Sequence, residues 1–300
     1  MKVFSESKSV PPESVIVGKV NKLIEELPEQ IKKEIIPEKM KEIIKKQMDP
    51  YTVFLLSEIN HYNSLIQMIS HGLSNLVKAL KCQKDMSEKV LQLKESFINN
   101  KIPEFWKSHS FISSLSLTEF LINLNKRIEY IKNWASNDHP KCFDLRYLFS
   151  PSGLLLAYKL RMLRKLSIQA KGLELMFEFL GVKSIEDMKD LLSEESLYVE
   201  GTNIIGGTIN LDTRILEDSE SSCTVSKTPI LKIDLGKNID LETDNVYKCP
   251  LFRTKEMKGY LQENGFDGNF ISYVDCLSEK NQKHWISNHT YLFIEDETSS

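Results

Sequence analysis

The stretch DPYTVFLLSEINHYNSLIQMISHGLSNLVKAL, residues 49–80, carries the strongest helical signal in the sequence. Asp49 is a good capping residue, and Pro50 suits the first helical turn, where a missing N–H costs nothing. Apolar side chains then fall at Val53, Leu56, Ile59, Tyr62, Leu65, Ile66, Ile69, Leu73, Leu76, Val77 and Leu80. That is the period of a helix with one buried face.

Further helices are expected on the C-terminal side. One runs from Ser87 to Ile98 and is ended by Lys101-Ile102-Pro103. Another runs from Leu117 to Ala135, with Phe120, Leu121, Leu124, Ile128, Ile131 and Trp134 on one side. A fourth covers Ser152 to Ala170. On the N-terminal side, residues 15–47 read as charged helices broken near Pro28 and Pro37. Residues 1–14 are polar, with a Pro11-Pro12 pair, and read as mobile.

Glycine placement divides the sequence. Residues 1–150 contain only Gly18 and Gly72, whereas residues 201–300 contain Gly201, Gly206, Gly207, Gly236, Gly259, Gly265 and Gly268. Sparse glycine suits long helices, since each interior glycine costs about 1 kcal/mol relative to Ala. Frequent glycine suits the turns and bulges of short strands. After residue 195, short apolar stretches occur at Leu197–Val199, Thr202–Ile205, Pro229–Ile233, Val246–Phe252, Phe270–Val274 and Thr290–Ile294. Their spacing reads as a small antiparallel sheet or barrel. The Ser- and acid-rich segment Glu217–Ser226 reads as a loop. The expected fold class is therefore α+β, with helices first. Its divisions are residues 1–47, a mobile N-terminus and connecting helices; residues 48–194, a helical part; and residues 195–300, a β part.

Composition bounds the function. Of 300 residues, 41% are hydrophobic and 27% charged, an ordinary globular balance. The net charge of −3 does not point to a nucleic-acid binder. Residues 1–180 hold 27 Lys+Arg against 20 Asp+Glu, and residues 181–300 hold 12 against 22, so a basic half precedes an acidic half. The cysteines, Cys82, Cys142, Cys223, Cys249 and Cys276, include no CxxC pair. The N-terminus MKVFSESKSVPPESV has no long apolar core, so a reducing, cytosolic compartment is expected. No apolar run approaches the roughly 18 residues of a membrane span.

Motifs for chemistry are missing from the sequence. There is no GxxxxGK[ST], no HExxH and no GxSxG. Gly201–Gly207 lies in strand-like sequence and reads as a tight turn or bulge. His284 beside Trp285 reads as a packing pair at a strand edge. Lys32-Lys33 and Lys45-Lys46 alternate with Glu and read as solvated helix faces. Trp106, Trp134 and Trp285 read as core.

The last hundred residues carry a resemblance. Tyr247-Lys248-Cys249-Pro250-Leu251-Phe252-Arg253-Thr254 is followed by Gly259, Leu261, Gly265, Asn269-Phe270 and His284-Trp285-Ile286. This order resembles the end of dynein heavy chains, where a Y-x-CP-aliphatic-aromatic-basic-T segment precedes a Gly-x-x-x-N-F turn and a final HW strand. Upstream, Glu58, Tyr62-Asn63 and Leu65 resemble the family's E-x-x-x-YN-x-L. Ile102-Pro103 with Trp106 resembles its [VI]P-x-x-W, and Arg127 with Trp134 its R…W. Phe149, Pro151 and Leu154 resemble its F-x-P-x-x-aliphatic helix start. In the family's G-x-x-LEGA-x-WD signature, Gly201 and Gly206 remain, but Ile205 replaces the acid, Ile209 the Trp and Asn210 the Asp. A divergent, axonemal-type member is the expectation.

The resemblance implies an N-terminal helical bundle carrying a small, incomplete antiparallel β-barrel. It implies a terminal region without catalytic, cofactor or metal site, with ATP and Mg held elsewhere in the parent motor ring. Expected partners are the AAA ring modules of the parent heavy chain. Through the parent complex they extend to the intermediate, light intermediate and light chains and to microtubules, with neither nucleic acid nor membrane. Expected locations are cytoplasm, cytoskeleton and cilium axoneme. The basic helix after residue 152 would dock on the ring, and charge reversal at Lys159, Arg161 and Arg164 would test this. Beginning at Met1, the 300 residues alone would not make a motor. A free-standing α+β adaptor derived from a heavy chain is the alternative.

Overall fold

The computed structural model describes residues 12–36, 43–44, 47–82, 86–167, 169–188, 192–221, 223–237, 245–255 and 269–294. The helices are α1 (Glu13–Glu26), α2 (Pro50–Cys82), α3 (Glu88–Ile98), α4 (Glu104–Lys107), α5 (Leu117–Ser136), α6 (Pro151–Leu166) and α7 (Gln282–Ser287). Of the lead expected to be mobile, residues 1–11 lie outside the described set, and α1 takes Glu13 and Ser14. Contacts divide the protein into two units. Among the described residues, one is built from residues 12–32 and Asn60–Glu129, the other from Lys33–Ile59 and residues 130–294.

The first unit is helical. Tyr62, Leu65, Ile69, Leu73 and Leu76 of α2 are buried, with Leu93 of α3, Trp106 of α4 and Phe120, Leu124 and Ile128 of α5. Gly72 sits where a Cβ would stand 3.5 Å from Leu93 and 3.7 Å from the Trp106 indole nitrogen, which is why a small residue interrupts the apolar face. Phe111 stacks on Phe120 at 5.0 Å, and the buried Arg127 lays its guanidinium 3.8 Å over the Phe111 ring.

The second unit contains the sheets. One has the order β3 (Phe143–Asp144), β5 (Leu197–Glu200), β10 (Leu231–Lys237), β4 (Leu173–Phe179). The other has the order β12 (Phe270–Leu277), β11 (Val246–Phe252), β13 (Tyr291–Phe293), β6 (Asn203–Ile205), β9 (Val225–Lys227). Short hairpins join β1 (Ile43–Ile44) to β2 (Gln47–Met48) and β7 (Thr208–Ile209) to β8 (Leu216–Glu217).

Several expectations are corrected. Each large sheet contains a parallel pair, β3 with β5 and β11 with β13, so neither is purely antiparallel. Among the described residues, neither sheet closes into a barrel. Strands also begin before residue 195. The β1–β2 hairpin lies where charged helix was expected, pairing Ile43 with Met48. The segment LELMFEF, expected within the helical part, forms β4 and pairs along its whole length with β10, from Leu173 with Lys237 to Phe179 with Leu231. α6 stops at Leu166 rather than Ala170, because Ser167 takes a left-handed conformation (φ 57°) and its N–H closes back on Arg164 O. His284-Trp285 lies on α7, not in a strand, because the Asn281 side chain accepts the His284 N–H and caps a helix there. The loop expected at Glu217–Ser226 is bounded by β8 and β9, which take its two ends.

The first turns of α2 also differ from their expected face. Val53 is 51% exposed, while Phe54, Leu55 and Glu58 are buried. Apolar periodicity places a helix but cannot register a buried carboxylate that shifts the inward face.

Candidate functional site

Glu58 is completely buried on α2. Its carboxylate accepts the N–H groups of Phe149 at 2.5 Å and Ser150 at 3.0 Å. These are backbone donors at the entry to α6, which have no acceptor within the helix. Negative charge is also favoured there by the helix dipole. Arg253, at the end of β11, is the nearby positive group. Burial lowers its pKa and the Glu58 charge opposes that shift. Its terminal nitrogen reaches Ser152 Oγ at 3.3 Å. One acid on α2 thus ties the start of α6 and the end of β11.

Several C-terminal signature residues also bond to backbone, and others pack or bond through side chains. The Tyr247 hydroxyl donates to Thr290 O at 2.6 Å. Asn269 Oδ1 accepts the Thr254 N–H at 3.1 Å and its hydroxyl at 3.3 Å, and the Arg253 N–H donates to Asn269 O at 2.7 Å. Pro250 sits inside β11 opposite Tyr273; the parallel partner β13 begins only at Leu251, so no ladder bond is required of it there. Phe270 stands edge-on to Phe252 at 5.9 Å. Trp285 is buried and donates Nε1–H to Ser278 Oγ at 2.8 Å. Gly206 has φ 75°, and a Cβ there would stand 2.7 Å from Asn288 O. Gly201 has φ 87°, and a Cβ there would collide with the Asp144 carboxylate.

Farther upstream, Asn63 closes both bonds with Ile31, accepting its N–H at 2.7 Å and donating to its carbonyl at 2.9 Å. Tyr62 is buried 6.4 Å from Phe111. Pro103 precedes the first residue of α4, and Trp106 fills the core with its indole N–H without an acceptor among the described residues. Trp134 donates to His139 Nδ1 at 3.0 Å. Gly259 and Gly265 lie outside the described residues.

Titratable groups form ion pairs and buried thiols. His284 Nε2 stands 2.7 Å from Asp218, which also pairs with Lys280; the Lys280 and His284 bonds lower the Asp218 pKa. Asp144 takes a two-point contact from Arg146, with Nη2 at 2.7 Å and Nε at 2.9 Å. Burial, then the neighbouring Asp144 charge, raises the pKa of Glu200, its register partner. Burial, then a hydrogen bond with the free Cys276 thiol, holds the Cys249 thiol well above its usual range. Such thiols are poor nucleophiles. Among the described residues no group of three or more His, Cys, Asp or Glu is arranged to hold a metal. No described helix is long and apolar enough to cross a membrane.

A match to the family described as the C-terminal domain of the dynein heavy chain runs over residues 2–294. The protein belongs to that family. It is 25% identical to dynein axonemal heavy chain 1 of Rattus norvegicus over 293 residues, covering 95% of this sequence and 6% of the relative. It is 25% identical over 241 residues to dynein axonemal heavy chain 12 of Mus musculus, covering 80% and 8%. With dynein axonemal heavy chain 3 of Mus musculus the figures are 22% over 276 residues, 92% and 7%. The 300 residues therefore span less than a tenth of the length of these relatives.

Where this dynein terminal domain departs from its family's pattern, the fold absorbs the change. Ile209, in place of Trp, is 7% exposed. Asn210, in place of Asp, still accepts the N–H groups of Asp212 at 2.9 Å and Thr213 at 3.1 Å, so the turn keeps its acceptor. Two of the three arginine and lysine positions expected to dock are occupied internally. Arg161 Nε donates to the buried Asp49 at 3.1 Å, and Arg164 Nη1 donates to Met48 O at 3.0 Å. Reversing Arg161 would set a second negative charge against the buried Asp49, so its effect on docking would be mixed with a loss of stability. Among the described residues, open surfaces of the dynein domain include the following two. One is an aromatic groove of about 390 Å³ with Tyr247, Phe252, Tyr273 and Tyr291 in its wall. The other is the outward side of α6, where Leu156 is 58% and Leu160 39% exposed.

Proposed function

We propose that this protein is the non-catalytic terminal region of an axonemal-type dynein heavy chain. It packs on the AAA ring of its parent and tunes minus-end-directed movement on microtubules. ATP and Mg act in the ring, and the associated intermediate, light intermediate and light chains belong to the whole complex. The observation that carries this reading is the family match across residues 2–294. The names of the relatives supply the axonemal part. The node at Glu58 and the backbone-bonded signature residues agree with a part whose job is to be rigid.

A rigid body that touches several modules stabilises whichever ring arrangement fits it best. Its effect on nucleotide sites is a coupling free energy, typically about 1–3 kcal/mol. The test is a chimera. An axonemal heavy chain 1 motor is prepared with its own terminal region, without it, and with this sequence fused in its place. Deletion should alter microtubule gliding velocity and run length, and the fusion should move both toward the intact motor. Identical gliding by the deleted and fused motors would remove the tuning role. ATP turnover by the 300-residue protein alone would remove the non-catalytic one.

A further inference from the structure

Helix α6 has the sequence PSGLLLAYKLRMLRKL. Its inward residues Leu154, Leu155, Tyr158 and Met162 are buried. An amphipathic surface helix needs one apolar stripe. This one has a second on the opposite side, formed by Leu156, Leu160 and the half-buried Leu163. At 3.6 residues per turn these three fall within about 60° of one another. Leu156, Leu160 and Leu163 stand at i, i+4 and i+7, the spacing of an apolar stripe that packs against another element.

Charge says what kind of helix. α6 carries Lys159, Arg161, Arg164 and Lys165 and no acidic residue. The Asp49 carboxylate compensates Arg161, whereas Arg164 spends its bond on a neutral carbonyl. Lys159 and Arg164 flank the outer leucines. Pairing this face with a second copy of itself would set like charges together, a cost that opposes self-association. We propose that the outward face of α6 is a docking surface for an amphipathic helix whose apolar stripe is flanked by carboxylates. Resting on the function proposed above, that helix belongs to the ring modules of the same heavy chain. The matched region is only 6–8% of the relatives' length, so ample sequence exists to supply it.

The experiment uses the 300-residue protein and, as probe, the recombinant ring of an axonemal heavy chain 1 lacking its terminal region. Binding is measured for wild type, for Leu156→Ser with Leu160→Ser, and for Lys159→Glu. Removing two exposed leucines should weaken binding roughly tenfold or more, with the melting curve of the protein unchanged. Lys159→Glu should weaken it less and flatten its salt dependence. Wild-type binding that the leucine pair leaves intact would overturn the docking face while leaving the ring-packing function in place. No wild-type binding at all would remove that function and this inference with it. Loss, in the leucine variant, of self-association by sedimentation, or of binding to phosphatidylserine–phosphatidylcholine vesicles, would assign the face to a second copy or a membrane and overturn the proposed occupant.

Discussion

Glu58 is a charged group with no exposed surface, and its environment explains why it is tolerated. Burying an unpaired carboxylate is costly unless hydrogen bonds and an opposite charge compensate. Two backbone N–H groups and the Arg253 charge do so here. Glu58→Ala would leave those donors buried and a cation without its counter-charge, for a loss of roughly 3–5 kcal/mol. Glu58→Gln keeps one acceptor oxygen and should cost less, on the order of 1–2 kcal/mol. Denaturant unfolding of the three proteins checks the order. A Gln variant as unstable as Ala would mean that charge, not hydrogen bonding, holds the node. The sequence presented Glu58 as a motif residue, but nothing in its neighbours indicated that Phe149 and Ser150, 91 and 92 residues away, were its partners.

At the scale of elements, turn chemistry decides how the second sheet is assembled. β6 ends at Ile205, and the Gly206 carbonyl then accepts the Thr290 hydroxyl at 3.0 Å just before β13. The left-handed φ of 75° and the close approach of Asn288 O both require glycine there. Gly206→Ala should therefore cost about 1–3 kcal/mol from the backbone conformation alone, read as a lower unfolding midpoint with an unchanged slope. A neutral outcome would mean that the turn adjusts without strain. The glycine-rich segment was legible as a turn because glycine takes the left-handed conformation without steric cost. The strand β4 was not legible as a strand. Its apolar run LELMFEF has no partner nearby in sequence, and β10, which pairs with it, lies more than fifty residues on. Short apolar runs look alike whether helix or strand buries them.

At the scale of the molecule, the question is whether the 34.7 kDa protein acts alone or as the end of something longer. An antibody raised to residues 245–300, applied to a denaturing blot of native tissue, answers it. Under the proposed function, a band many times larger than 34.7 kDa is expected. A single band at 34.7 kDa would instead favour a separate α+β adaptor, and the outer leucines of α6 would then need a partner encoded elsewhere.

The sequence by itself determined most of the helices and the change from glycine-poor to glycine-rich composition. Both are legible within short stretches of the chain. It also determined family membership, because the order Tyr247, Cys249, Pro250, Thr254, Asn269, Phe270, His284, Trp285 can be read without knowing any contact. Only the tertiary structure decided the rest. It turned Val53 outward and Glu58 inward, made the sheets mixed and open, and put His284 on a helix beside Asp218. It occupied Arg161 and Arg164 internally while leaving Leu156 and Leu160 uncovered. Those outcomes depend on which distant groups meet. A buried carboxylate, a parallel strand pair or an exposed leucine is defined by neighbours far away in the sequence, and local preference does not encode them.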